Sequence, residues 1–228
     1  MLRQLDDDLW VVDHPDFAMA GIPIGTRTTL VRLTDGSLFM HAPGPLSVSL
    51  AKQIDEIGPV RFIVAPNAFH HLFVAENARA WQDASVHLAP GLATKRKDLS
   101  YNAELGDEPA PGWSADLDQC WVRGSPRVNE IVFLHRSTRT LVLTDLAFNV
   151  QHAASRVGRV FFRLAGVYGR FATSRMMRLM VRDRVAARAA AERILGWDFD
   201  RVIVAHGDVL ERGGHDALRD ALGWLVGS

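Results

Sequence analysis

Apolar residues fall along this chain in short runs and in three- and four-residue steps, a rhythm that predicts strands interleaved with helices. The runs "TTLVRL" and "SLFM" flank Asp35-Gly36, a pair that tolerates the positive φ of a tight turn, so residues 28–40 read as a hairpin. Leu46, Leu50, Ile54 and Ile57 recur near 3.6 spacing and predict a helix that Gly58 stops. A strand at 62–64 follows, then a short helix at 76–82, a strand at 85–90 and a turn or short helix at 91–99. Pro109, Pro111 and Gly112 mark a surface loop. A second hairpin is written as "EIVFLH", the turn "RSTR" and "TLVLTD". Residues 174–196 read as one helix ending at Gly196, "RVIVAHGD" as a strand running into a His-Gly turn, and 215–226 as a closing helix. Each half opens with a hairpin and later reaches a strand–helix unit. That order predicts helices packed outside a pair of sheets, not a doubly wound parallel sheet. The 228 residues are expected to form a single domain, 1–228.

Composition changes this picture little. A hydrophobic share of 48% with 23% charged residues describes a soluble globular protein, and a formal net charge of +0 leaves no global field to recruit nucleic acid or membrane. The single cysteine, Cys120, excludes an intrachain disulfide framework and suits a reducing compartment. The start, "MLRQLDDDLW", lacks the basic-then-apolar order of a signal peptide, and no apolar run is long enough to span a bilayer, so the expected location is cytoplasmic. Neither G-x-G-x-x-G nor a Walker-type lysine loop occurs.

Candidate chemistry lies at the ends of strands. "SLFM" ends at His41, "FIVAPNAF" at His70 and His71, "TLVLT" at Asp145, and "VIVA" at His206, with Asp208 two residues on. Imidazoles with a carboxylate form a ligand set for zinc, iron or manganese, and strand ends hold such ligands rigidly while leaving them open to substrate. A lone histidine after a strand is more often an ordinary partly exposed residue. His14, His87, His135, His152 and His215 stay under that reading. Asp145 taken alone could serve as a turn or N-cap aspartate before "LAFN".

In combination, "GTRTTLVRLTDGSLFMHAP", "IVAPNAFHHLF", "PGLATKRKDL", "NEIVFLHRSTRTLVLTDLAFN" and "VIVAHGD" resemble the metallo-β-lactamase superfamily over nearly the whole chain. The similarity is greatest to a little-characterised branch known only as a domain of unknown function. The resemblance implies an α+β fold, a four-layer αββα sandwich with its metal site along one edge, and here a helical insertion near 150–190. It places His71 on the last histidine of the H-x-H-x-D-H motif, His70 on its aspartate, and Ala68 and Pro66 on its first two histidines. Asp145 falls on the bridging acid, His206 on the last metal histidine, and His41 where the superfamily often has an aspartate. Alanine and proline offer no side-chain donor, so the first metal position is dismantled. The second retains His70, His71, Asp145 and His206. The implied cofactor is one divalent transition metal, zinc first, with iron or manganese as alternatives. The implied activity is metal-dependent hydrolysis of an ester, lactone, thioester or phosphodiester, with Asp208 or His41 orienting water or shuttling a proton. The alternative is a binding or scaffold protein that kept the sandwich and lost the chemistry.

Between Asn149 and the last strand lies a basic segment in which Val157, Val160, Phe161, Leu164, Val167, Tyr168 and Phe171 recur at helical steps among arginines. Three readings are open: a solvated amphipathic cover, a lid, or a peripheral contact with anionic lipid. The lid would place Phe161, Leu164 and Tyr168 against an apolar, anionic small-molecule substrate. A homodimer contact is a further way to cover the stripe.

Overall fold

The computed structural model describes residues 1–227. Its elements run β1 (Leu2–Asp6), β2 (Leu9–His14), β3 (Ala18–Met19), β4 (Ile22–Pro23), β5 (Thr26–Arg32), β6 (Leu38–His41), α1 (Val48–Asp55), β7 (Val60–Ala65), α2 (Val74–Ala80), β8 (Ser85–Leu88), α3 (Leu92–Lys95) and β9 (Ala103–Glu104). The second half comprises β10 (Leu117–Val122), β11 (Glu130–His135), β12 (Thr140–Val142), β13 (Phe148–Asn149), α4 (Arg156–Ala165), β14 (Phe171–Ala172), α5 (Arg175–Met180), α6 (Arg184–Leu195), β15 (Arg201–Ile203) and α7 (Gly214–Val226).

Period-two alternation decides which face of each strand enters which layer. In the sheet ordered β1-β2-β5-β6-β7-β8-β9, Val11, Val31, Phe39 and Val64 point inward. They meet Leu117, Ile131, Phe133 and Ile203 from the sheet ordered β10-β11-β12-β15. Their neighbours Leu30, Leu38, Met40 and Ile63 point outward onto α1 to α3 through Ile54, Val74 and Leu92. On the far side, Val132, Leu134 and Leu141 receive Ala187, Ala191 and Ile194 of α6 and Leu218 and Leu222 of α7. Four layers result, helices–sheet–sheet–helices. Phe39 anchors the middle, with edge-on contacts to Trp113 at 5.2 Å and to Phe133 at 5.1 Å. Each such pair contributes about 0.5–1.5 kcal/mol beyond its buried area.

The two expected hairpins form, β5 with β6 and β11 with β12. Three expectations need correction. The first sheet begins earlier, because β1 and β2 form a hairpin that pairs β2 with β5. Strand β10 precedes the second hairpin and pairs with β11 along its whole length. The single helix expected over 174–196 is two, since Val181 is extended and the Asp183 carboxylate accepts from Val185 and Ala186 N–H to start α6 afresh.

Candidate metal centre

Strands β7, β12 and β15 end along one edge of the sandwich, and the residues just past their ends converge. His70 Nε2 lies 3.3 Å from one Asp145 oxygen, and His206 Nε2 lies 3.7 Å from the other. One ligand atom from each of the three residues lies within 4.8 Å of the other two. Donors 2.0–2.1 Å from a tetrahedral ion stand about 3.3 Å apart, close to the two His–Asp separations of 3.3 and 3.7 Å.

Each ligand is aimed by a neighbour. His206 Nδ1 is 2.8 Å from the Gly25 carbonyl, which makes Nδ1 the protonated nitrogen and leaves the Nε2 lone pair facing Asp145. Its ring stacks on Phe148 at 5.2 Å and 11°. Burial pulls the His206 ring down to about 4 against the opposing pull of Asp145, so the ring is neutral and able to ligate at neutral pH. Gly207 then turns the chain at φ +99°, where a Cβ would overlap the Asn149 carbonyl.

Asn67 joins two of the loops. Its carbonyl oxygen accepts from the Phe69 and His70 N–H groups at 2.8 and 2.9 Å. Its amide donates to Thr144 Oγ1 at 2.8 Å and to Asp145 Oδ2 at 2.7 Å. Burial raises the Asp145 carboxyl, but His70, His206 and this amide outweigh it and hold Asp145 at about 2. Beneath it, the fully buried Glu130 carboxylate accepts from Thr144 N–H at 2.6 Å and Asp145 N–H at 2.9 Å. Burial first, and the Asp145 charge second, push Glu130 up to about 7. Neither Asn67 nor a structural role for Glu130 is legible from residue type. The one hint is that each carries a polar side chain at an end of an apolar strand. Replacing Asn67 with Ala is expected to lower metal affinity about 10–100-fold, the usual range for outer-shell residues, as read by metal titration of the folded variant.

The other site expectations separate. His71 is not in the converging group. Its Nδ1 accepts from Arg96 at 2.7 Å, and Arg96 is itself held by Asp98. Burial, then the charges of Lys95 and Arg96, lower His71 to about 4. Both histidines border one cavity, but the arginine claims Nδ1 of the second ring. Asp208 is exposed and faces a different cavity, of about 420 Å³, beside Arg3, His14 and His152. His41 is buried at the end of β6, its ring edge-on to Phe133 at 5.6 Å and its Nε2 without a hydrogen-bond partner among the described residues. Burial, then the charge of His70, lowers it to about 3. It is placed near His70 as a buried ring that its surroundings hold neutral.

Two apolar cavities flank the centre and share Asp145, His206, Met19, Ile24 and Met176 as walls. One, of about 440 Å³, is lined by Phe17, Phe69, Phe73 and Met180 and also reaches His70. The other, of about 280 Å³, is lined by Phe148, Phe162, Val167 and Leu179 together with Phe161 and Leu164 of α4. Of the three residues that the lid reading names, Phe161 and Leu164 line a cavity that Asp145 and His206 also line. Tyr168 needs correction. Gly166 ends α4 at φ +78°, Val167 turns inward, and Tyr168 packs under Arg163, 5.2 Å from its ring centre.

Residues 6–164 match the family described as Domain of unknown function (DUF4336). The chain belongs to the DUF4336 family. Solved structures share its fold. The metallo-β-lactamase from Pontibacter korlensis superposes with a TM-score of 0.66 at 12% identity, covering 100% of this chain and 99% of that one. DIM-1 metallo-β-lactamase exposed to ceftazidime gives 0.65 at 10% identity, covering 97% and 95%. The enzyme from Hirschia baltica gives 0.64 at 11% identity, covering 97% and 96%. No curated protein matches. This DUF4336 chain thus has the metallo-β-lactamase fold, and its candidate His-Asp-His group lies just past three strand ends of that fold.

Proposed function

We propose that this protein is a metal-dependent hydrolase with one divalent ion held by His70, Asp145 and His206. The convergence of their ligand atoms within 4.8 Å of one another is the observation that carries the reading. Two imidazoles and a carboxylate are a donor set used by zinc in hydrolases and by iron(II) elsewhere, and zinc is the first choice for hydrolysis. Bound there, such an ion supplies Lewis-acid polarisation of a scissile group and acidifies a water.

The chain's own residues supply the rest. Gly25 and Asn67 hold His206 and Asp145 in one orientation, so little reorganisation is needed on binding. The apolar walls on both sides exclude water from the ligands and favour a substrate with apolar arms around an ester, lactone, thioester or phosphodiester. Pro66 and Ala68 offer no side-chain donor, which supports one ion instead of two.

Elemental analysis of protein purified without added metal is expected to find about one zinc, iron or manganese ion per chain, with ester, lactone and phosphodiester substrates then screened on the loaded protein. Two tightly held ions would refute the single-ion reading. An empty protein that takes up no added ion would favour the scaffold alternative.

A further inference from the structure

Hydrophobic side chains left in water cluster at the mouth of the two cavities. Met19, Phe69, Leu72, Leu164, Met176 and Leu179 are 49%, 38%, 55%, 68%, 44% and 85% exposed, and every one of them lines one cavity or both. Val157 and Val160 extend this rim along α4, three and four residues apart from each other and from Leu164, so they share its face. A contiguous apolar rim of this kind marks a contact surface.

Along α4, α5 and the chain that joins them, the charge has one sign. Between Asp145 and Asp183 the chain carries no acidic residue. It carries Arg156, Arg159 and Arg163 on α4, Arg175 and Arg178 on α5, Arg170 between the helices and Arg182 after them, all exposed. No carboxylate among the described residues pairs with any of these arginines. Arg170 and Arg175 instead reach the carbonyls of Gly166 and Leu164, and Arg178 lies over Trp224. Burial, and then the like charges of Arg170 and Arg175, pull Arg178 below its ordinary value. With a formal net charge of +0, the whole chain is balanced while this face is not.

We infer that this face docks on an anionic lipid bilayer, with the apolar rim entering the interface and the arginines meeting the headgroups. Charge complementarity selects this occupant. A second copy joined by a twofold axis would set the same arginines against each other. A nucleic acid would neutralise the arginines but leave Val157, Val160, Leu164 and Leu179 without a partner. An anionic bilayer satisfies both sets at once. No helix among the described residues is long and apolar enough to cross a membrane, so the contact is peripheral. Docked this way, the protein opens both cavities toward the lipid, and an amphiphile can pass from bilayer to site without crossing water.

The inference does not depend on a bound metal, so its failure is separable from failure of the hydrolase reading. Full-length metal-free protein is expected to sediment with vesicles of phosphatidylcholine and phosphatidylglycerol, to stay in solution with phosphatidylcholine alone, and to be released by high salt. The triple variant Arg156→Gln, Arg159→Gln, Arg163→Gln should bind the anionic vesicles about a hundredfold more weakly, at about 1 kcal/mol for each charge near the surface. Leu164→Glu with Leu179→Glu should also abolish sedimentation, and both sites are exposed enough that a native circular dichroism spectrum is expected. Light scattering serves as the control on partner. A wild-type dimer that these two leucine changes dissociate would overturn the proposal in favour of a second copy. Binding to a DNA duplex without binding to anionic vesicles would overturn it in favour of nucleic acid, and no binding to anionic vesicles at low salt would overturn it outright.

Discussion

Asp145→Ala is expected to take metal content from about one ion per chain to near zero, while His71→Ala leaves it unchanged. Both residues follow apolar strands, and both are buried. The difference is geometric. Asp145 places one oxygen 3.3 Å from His70 and the other 3.7 Å from His206, so removing it deletes the only carboxylate of the set. His71 Nδ1 is occupied by Arg96 at 2.7 Å. The loss for Asp145→Ala should exceed the roughly 10–100-fold typical of outer-shell changes. Folding is expected to survive, because the Asn67 amide keeps its bond to Thr144 Oγ1 and Glu130 loses a like charge beside it. Metal titration followed by elemental analysis on both variants checks this. Wild-type metal content in Asp145→Ala would end the assignment, and loss of metal in His71→Ala would bring that ring back into the site.

Glu130→Ala is expected to cost about 2–6 kcal/mol of stability, from two buried backbone N–H groups left without an acceptor at about 1–3 kcal/mol each. These are the N–H groups of Thr144 and Asp145, which fix the loop carrying the carboxylate ligand. An opposing effect exists, since Glu130 and Asp145 repel each other and Glu130 is pushed up to about 7 in part by that repulsion. Glu130→Gln separates the two. It removes the charge and keeps one acceptor oxygen, so it should lie between wild type and Glu130→Ala in urea denaturation of the metal-free protein. A Gln variant more stable than wild type would show that repulsion outweighs the hydrogen bonds.

How much was legible before the structure varies with the kind of residue. Strands β5, β6, β11 and β12 announce themselves because their apolar runs flank tight turns. "LRQLD" of β1 carries two apolar residues in five at a partly exposed sheet edge, and its pairing with β2 supplies what its own pattern lacks. The break between α5 and α6 was hidden because Met, Leu, Val, Arg and Ala all tolerate helix. Asp183 is itself an N-cap residue type, a signal masked by helix-tolerant residues on both sides, and Val181 is extended just before it. Tyr168 continued a helical period that Gly166 had already ended.

The layer pattern and the strand ends at which polar residues stand follow from local pattern, because alternation and turn chemistry are local and each strand carries its own inside and outside. That Pro66 and Ala68 offer no donors likewise depends on residue type alone. Which of two adjacent histidines approaches Asp145 was settled only by contacts between distant parts of the chain. That choice rests on Asn67 capping the His70 turn and on Arg96, 25 residues further on, holding His71. Glu130 likewise became a support for the Asp145 loop only through folding, since that role needs β11 and the end of β12 side by side. And only folding joined Met19, Phe69, Leu164 and Leu179 into one rim around the centre, because residues so far apart in the chain share a surface only once the layers have packed.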